Sequence, residues 1–258
     1  MTGQLADWLR VECAAFDFAP AGVLTTDGRH EWPLVAQDVG HLVRQLDDGG
    51  FLTPLPSESA ALANVIEVAL VDFLLARIGD VSARGEDADA HRGAARGYPD
   101  LEVSGSYFGG GFRAVDIKLA RIKVPKRRDP TKTESRITLY TGNTYFRYPS
   151  IAIGGIRRPF DDYEEHLDVV GLYVFDDATK SRVTSLELLV WEPWRIASRE
   201  RSSTTREYIG AVDDLADLRA GRGAFASREA FYRYWREEYK GFKTPRMIQR
   251  ELDKRLRG

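Results

Sequence analysis

The sequence predicts an α/β (α+β) fold, a mixed central β-sheet flanked by helices, on three observations. Leu101-Glu102-Val103 and residues 112–119 alternate apolar and polar side chains, the period-2 pattern of two strands with one buried face. Residues 168–175 and 185–191 read as further strands, with a long apolar helical stretch before them and a capped helix after them. At 258 residues and 43% hydrophobic, the chain can bury a sizeable core as one domain, or one domain with a subdomain.

In chain order, residues 7–16 form a short amphipathic helix carrying Trp8 and Leu9. Residues 21–25 and 30–34 flank Asp27-Gly28 as a hairpin. Ser57 or Ser59 caps a helix running to about Ile78. Its Leu62, Val65, Ile66, Leu70, Phe73 and Leu74 leave it apolar nearly all round, so it is expected to be buried. Residues 79–97, rich in Ala, Asp, Gly and Arg, read as a mobile loop. Residues 104–111 (SGSYFGGG) are a glycine-rich turn that would join residues 101–103 to 112–119 as a hairpin. Ser227 caps a helix reaching about Tyr239, and Pro245 opens a final basic helix. No internal repeat is present.

Several function classes are disfavoured. The longest apolar stretch, residues 62–78, is broken by Glu67, Asp72 and Arg77, so no membrane span is expected. Asp7 and Glu12 stand where a signal peptide would be basic and then apolar. Cys13 is the only cysteine, which excludes an intramolecular disulfide and fits a reducing cytoplasm. His30, His41, His91 and His166 lack zinc-ligand spacing, and no glycine-rich loop has the Walker pattern.

The chemistry-bearing pattern is Tyr98-Pro99-Asp100 followed by Asp116-Ile117-Lys118. The hairpin would bring Asp100 beside Asp116. Magnesium takes oxygen ligands, usually one or two carboxylates with water and phosphate, and these two aspartates would supply them. Lys118 leaves the same strand face as Asp116. There its ammonium could orient or help deprotonate an attacking water and balance charge on a pentacovalent phosphorus. The alternative is an ordinary half-buried hairpin with Val115 and Ile117 inward and Asp116 and Lys118 solvated. Charge distribution bears on the choice. Residues 1–90 hold 15 acidic and 5 basic side chains, whereas residues 91–258 hold 24 acidic and 32 basic. Eight basic residues fall between Lys118 and Arg136, directly after the Asp-x-Lys strand, where phosphates flanking a scissile bond would need neutralising.

Beyond these motifs, ordered blocks along most of the chain resemble type II restriction endonucleases of the EcoRV family, within the Pro-Asp…(Asp/Glu)-x-Lys superfamily. The blocks are Tyr98-Pro99-Asp100 with Val115-Asp116-Ile117-Lys118, Ile137-Thr138-Leu139, Pro159-Phe160-Asp161-Asp162-Tyr163, Gly171-Leu172-Tyr173-Val174, Trp194-Arg195-Ile196-Ala197, Ile209-Gly210 and residues 225–236. The resemblance implies a restriction-endonuclease-like fold across 1–258, with residues 1–60 contributing a dimerisation subdomain and 198–208 a DNA-recognition loop. It implies a homodimer that cuts a short palindrome in duplex DNA with Mg2+, leaving 5′-phosphate, blunt ends. Mn2+ would substitute, and Ca2+ would support binding without cleavage. Asp100, Asp116, the Ile117 carbonyl and Glu67 would be metal ligands, Glu67 on a second cation or acting on the first, with Lys118 catalytic. Glu67 falls at a third active-site acid, with Asp72 on the same helix as the alternative. Arg96, Arg121, Lys123, Arg127, Arg128 and Thr138 are the expected DNA contacts, together with Arg201, Ser202, Ser203, Thr204, Thr205 and Arg206. A cognate DNA methyltransferase and a cytoplasmic, prokaryotic setting are also implied.

The resemblance departs at the base-reading positions. Arginines replace the asparagines that flank the Thr-Thr pair in that family, and Ala94-Ala95-Arg96-Gly97 lacks its glutamines. The target sequence therefore does not carry over. Two rival readings remain: a structure-specific repair or mobile-element nuclease of the same superfamily, and a non-catalytic DNA-binding protein on that scaffold.

Overall fold

The computed structural model describes residues 4–18, 59–94, 97–154, 156–176 and 182–255. The hairpin expected at 21–34 and the candidate contact Arg96 lie outside the described residues. Helix α1 spans Gln4–Ala15 and α2 spans Ser59–Ala83. Among the described residues, the main sheet has five strands in the order β1-β2-β3-β5-β6. β1 (Asp89–Arg92), β2 (Leu101–Ser104) and β3 (Phe112–Arg121) form an antiparallel meander. β5 (Tyr163–Phe175) then lies parallel to β3, and β6 (Val183–Trp191) returns antiparallel. A second sheet, β4-β8-β7, joins Thr138–Thr141, Tyr208–Ala211 and Ala197–Arg201.

Both faces of the main sheet are covered. On one, Val115, Ile117, Leu167 and Val169 pack against Leu5 and Leu9 of α1 and Leu70, Leu74 and Ile78 of α2. On the other, Ala114, Ala120, Val170 and Leu172 meet an aromatic core of Tyr98, Tyr140, Phe146, Phe160, Phe231 and Trp235. The fold is the mixed-sheet α+β class expected of a restriction-endonuclease-like protein.

The hairpin forms as the alternation predicts, Leu101 opposite Val115 and Ser104 opposite Phe112. Its turn takes positive φ at Gly105, Gly109, Gly110 and Gly111, a region that glycine enters without steric cost. Ser227 caps α4 (Arg228–Arg233), its Oγ accepting from the Ala230 N–H at 3.2 Å, and an irregular turn continues through Glu238. Asp214 likewise caps α3 (Leu215–Ala220), and α5 (Arg246–Arg255) follows Pro245. No helix among the described residues is long and apolar enough to cross a membrane.

Two expectations and one alternative reading need correction. Residues 79–97 are not a loop throughout: α2 runs on to Ala83, and Asp89–Arg92 is an edge strand held by backbone pairing to β2. α2 is not buried all round. Leu62, Ile66, Leu70, Leu74, Ile78 and Val81 form its buried stripe, while Val68 is 37% exposed. Asp116 and Lys118 are not on a solvated face either, because the aromatic core and β4 cover that side of β3; Asp116 is only 4% exposed.

Candidate active site

β2 ends where Leu101 meets Val115, so β3 runs on past its antiparallel neighbour. Asp100 stands at that fork. Its Oδ2 accepts a hydrogen bond from the Ile117 N–H at 2.6 Å, taking the place of the missing strand. A strand residue's N–H and C=O face the same neighbour, so the Ile117 carbonyl opens into the same gap. Asp116 and Lys118 leave the opposite side of the pleat together, and the Lys118 ammonium pairs with Asp116 Oδ2.

These groups share a cleft of about 850 Å³ with Glu67 of α2, Tyr145 and Thr138. Burial and the adjacent Asp116 carboxylate, which also hydrogen-bonds to it, push Asp100 up to about 9. Burial alone would lower Lys118, but Asp116, Asp100 and Asp168 more than reverse that and hold it as an ammonium. Glu67 is raised by burial; Lys118 and Arg92 oppose the shift and Asp116 adds to it. Asp72, the alternative third acid, instead pairs with Nη2 of Arg92. The cleft therefore brings together Asp100, Asp116, Ile117, Lys118 and Glu67 as a group.

Sequence reasoning missed Asp168. It lies beside Asp116 in the parallel β3–β5 register, is 1% exposed, and leaves Oδ2 without a hydrogen-bond partner. Burial raises its carboxyl well above the usual range, Lys118 opposes the shift, and Asp116 adds to it. An acid set between the apolar Leu167 and Val169-Val170 was the available signal.

The donor set suits a hard divalent cation. Two carboxylates crowded enough to share a proton, beside a backbone carbonyl, are the sparse oxygen set that magnesium takes. Among the described residues no three His, Cys, Asp or Glu side chains form a ready-made cage. Water and substrate phosphate would have to complete the coordination.

The expected DNA contacts divide. Within the basic run, Arg121 pairs with Glu134 at 3.3 Å, Lys132 with Asp213 at 3.3 Å, and Arg136 with Glu200. Lys123, Arg127 and Arg128 are exposed, with no ion pair among the described residues. Thr138 lines the cleft, and its Oγ1 meets Ser202 Oγ at 2.8 Å. Residues 198–208 form a β7–β8 hairpin, with 202–207 as its tip. There Ser203 Oγ lies 3.1 Å from Thr205 Oγ1, and Arg201 donates to the Thr204 carbonyl at 3.1 Å. Thr204, Thr205 and Arg206 are exposed, and the Arg206 guanidinium lies 5.8 Å from the Tyr208 ring centroid.

No curated protein matches this chain. A family model described as "Restriction endonuclease EcoRV" matches residues 29–256, a span holding the cleft, both sheets and every described helix after α1. The matching span and the mixed-sheet fold that carries it agree: the chain belongs to the EcoRV restriction endonuclease family.

Proposed function

We propose that this chain is a type II site-specific deoxyribonuclease, a single catalytic domain acting as a homodimer on a short palindromic duplex. It would hydrolyse one phosphodiester per strand with Mg2+ and leave blunt 5′-phosphate ends. The observation that carries this reading is the convergence of Asp100, Asp116, Lys118 and Glu67 in one cleft of an EcoRV-family chain. Two-fold duplex symmetry is matched by two identical subunits, and residues 1–60 would contribute to their contact. The setting would be a prokaryotic cytoplasm, with a cognate methyltransferase protecting the host site.

Asp100, Asp116 and the Ile117 carbonyl would hold the cation, and Glu67, which lines the same cleft, would act on it or on a second one. A bound divalent cation would supply Lewis-acid polarisation of the phosphate and a more acidic water. Mn2+ would replace Mg2+, and Ca2+ would allow binding alone. Lys118, held as an ammonium by three carboxylates, suits orienting the water and stabilising charge on phosphorus better than taking a proton. The exposed Lys123, Arg127 and Arg128 would neutralise flanking phosphates, and the 202–207 tip would reach base edges.

The test is to incubate the protein with random-sequence duplex DNA and Mg2+ and to sequence the ends. A single palindromic site with blunt ends is expected. Cuts at structural features without a common sequence would favour a repair-type nuclease. Binding without cleavage would favour a non-catalytic DNA-binding protein.

A further inference from the structure

Lys118 and Arg92 are the cationic side chains that line the cleft among the described residues. Lys118 is deep and committed to Asp116. Arg92 is the last residue of β1, opposite Leu101, and the next residue's N–H, that of Gly93, donates to the Asp100 carbonyl at 2.8 Å. It thus stands at the cleft mouth, one backbone step from the candidate metal ligand.

The guanidinium is held on one side only. Asp72 of α2 engages Nη2, while Nε and Nη1 carry no partner among the described residues. The side chain keeps 39% of its surface exposed. A guanidinium carries five N–H donors in a fixed fork, so securing one nitrogen aims the remaining edge. The other Asp72 oxygen is buried and unpartnered, so Arg92 is the cation that compensates this acid. A phosphodiester entering beside Glu67, Asp100 and Asp116 brings its own negative charge to a wall of carboxyl groups whose Lys118 is already paired with Asp116. An arginine edge at the mouth is the group in that wall suited to two oxygens of one phosphate.

We infer that Arg92 is a further substrate-contacting residue, its free guanidinium edge receiving non-bridging phosphate oxygens of the cleaved strand while Asp72 holds the other edge. The inference rests on the nuclease reading above and adds to it a residue that the Pro-Asp…Asp-x-Lys pattern does not contain.

The test uses the full chain and four variants: Arg92→Ala, Arg92→Lys, Asp72→Asn and the double Arg92→Ala/Asp72→Asn. Each is checked for an unaltered melting temperature and size, then measured for single-turnover cleavage in Mg2+ and for duplex binding in Ca2+ across a salt series. Arg92→Ala should slow cleavage roughly 100-fold and flatten the log–log salt slope by about one unit. Arg92→Lys should keep the slope but recover only part of the rate, since the charge survives and the fork does not. Asp72→Asn should also keep the slope and lose less rate than Arg92→Ala. The double variant removes the stranded acid as well, and should remain as slow as Arg92→Ala. Recovery of the parental rate in the double variant would reduce Arg92 to a counter-ion for Asp72 and overturn the inference. So would a folded Arg92→Ala protein with parental rate and slope. If the parent chain itself does not cut DNA, the nuclease reading fails, and the salt slope alone still decides whether Arg92 touches phosphate.

Discussion

The Asp100 carboxylate accepts a hydrogen bond from the backbone N–H of Ile117, so the two halves of the Pro-Asp…Asp-x-Lys pattern are joined directly. Asp100 completes the edge of β3 as well as contributing charge. Asp116→Ala and Lys118→Ala leave that join intact, and are expected to abolish cleavage while folding normally. Lys118→Ala should still bind duplex DNA, because its role lies in the transition state. Cleavage by either variant within about tenfold of the parent, only about 1.4 kcal/mol, is too small a loss for a cation ligand or charge stabiliser. That outcome would remove the substituted residue from the mechanism.

Gly93 gives a prediction about packing beside the same aspartate. A Cβ at this position would overlap the Pro99 carbonyl oxygen and come within 3.3 Å of Asp100 Cα. Backbone cannot yield there without moving Asp100, so Gly93→Ala should cost roughly 2 kcal/mol of stability or more. It should also lower cleavage in the fraction that remains folded. A variant that melts with the parent and cuts at the parental rate would show that β1 has room to shift.

His166 predicts the acid limit of the fold. Its Nε2 hydrogen-bonds to the Phe160 carbonyl at 3.1 Å, so the neutral ring donates there and accepts the Tyr98 hydroxyl at Nδ1. Burial among aromatic rings pulls the imidazole down to about 3, against 6.5 for the free group. The unfolded chain therefore binds the extra proton first as pH falls. Stability from this group is intact above about pH 6.5 and is lost on acidification toward about pH 3. The effect amounts to a few kcal/mol, on the order of 1.4 per pH unit. His166→Gln, which keeps a neutral hydrogen-bonding side chain, should show a shallower loss of denaturation midpoint over that interval. Parallel pH profiles for the two proteins would mean that the ring is charged, or solvated, in the folded state.

What could be read from sequence follows from the range of the signals. The β2–β3 hairpin carries its own alternation and glycine turn, so Asp100, Asp116 and Lys118 could be placed together from one local stretch. Asp168 could not, because its position beside Asp116 depends on the parallel register of a strand some fifty residues away. β1 escaped notice because Asp-Ala-His-Arg has no apolar period; backbone bonds to β2 make it a strand. Burial of Asp116 was hidden for a similar reason. Hydrophobic patterning shows which face of a strand is apolar, and here the polar face is roofed by aromatic residues drawn from Tyr98 to Trp235. The pairing of Arg92 with Asp72 also needed three dimensions, since the two residues come from different elements.

The hairpin tip offers a test of sequence specificity. Arg201 is already engaged, donating to the Thr204 carbonyl and lying 3.8 Å from a Glu207 carboxylate oxygen. Arg206 is exposed and rests against Tyr208, which itself lines the cleft, so it is the better placed of the two to reach a base edge. Arginine pairs best with guanine O6 and N7, whereas the asparagines it replaces favour adenine. The expected target therefore contains G·C pairs that Arg206 reads. In a site-preference assay, Arg206→Ala should relax choice at one symmetric pair of positions and cost roughly 1–3 kcal/mol on the preferred site. The contrast is with the exposed Arg127 and Arg128, whose replacement by alanine should weaken binding to all sequences alike. Each of those losses should flatten the salt slope by about one unit. If Arg206→Ala instead behaves as they do, or if the parent site contains only A·T pairs, then Arg206 grips phosphate and the bases are read elsewhere on the tip.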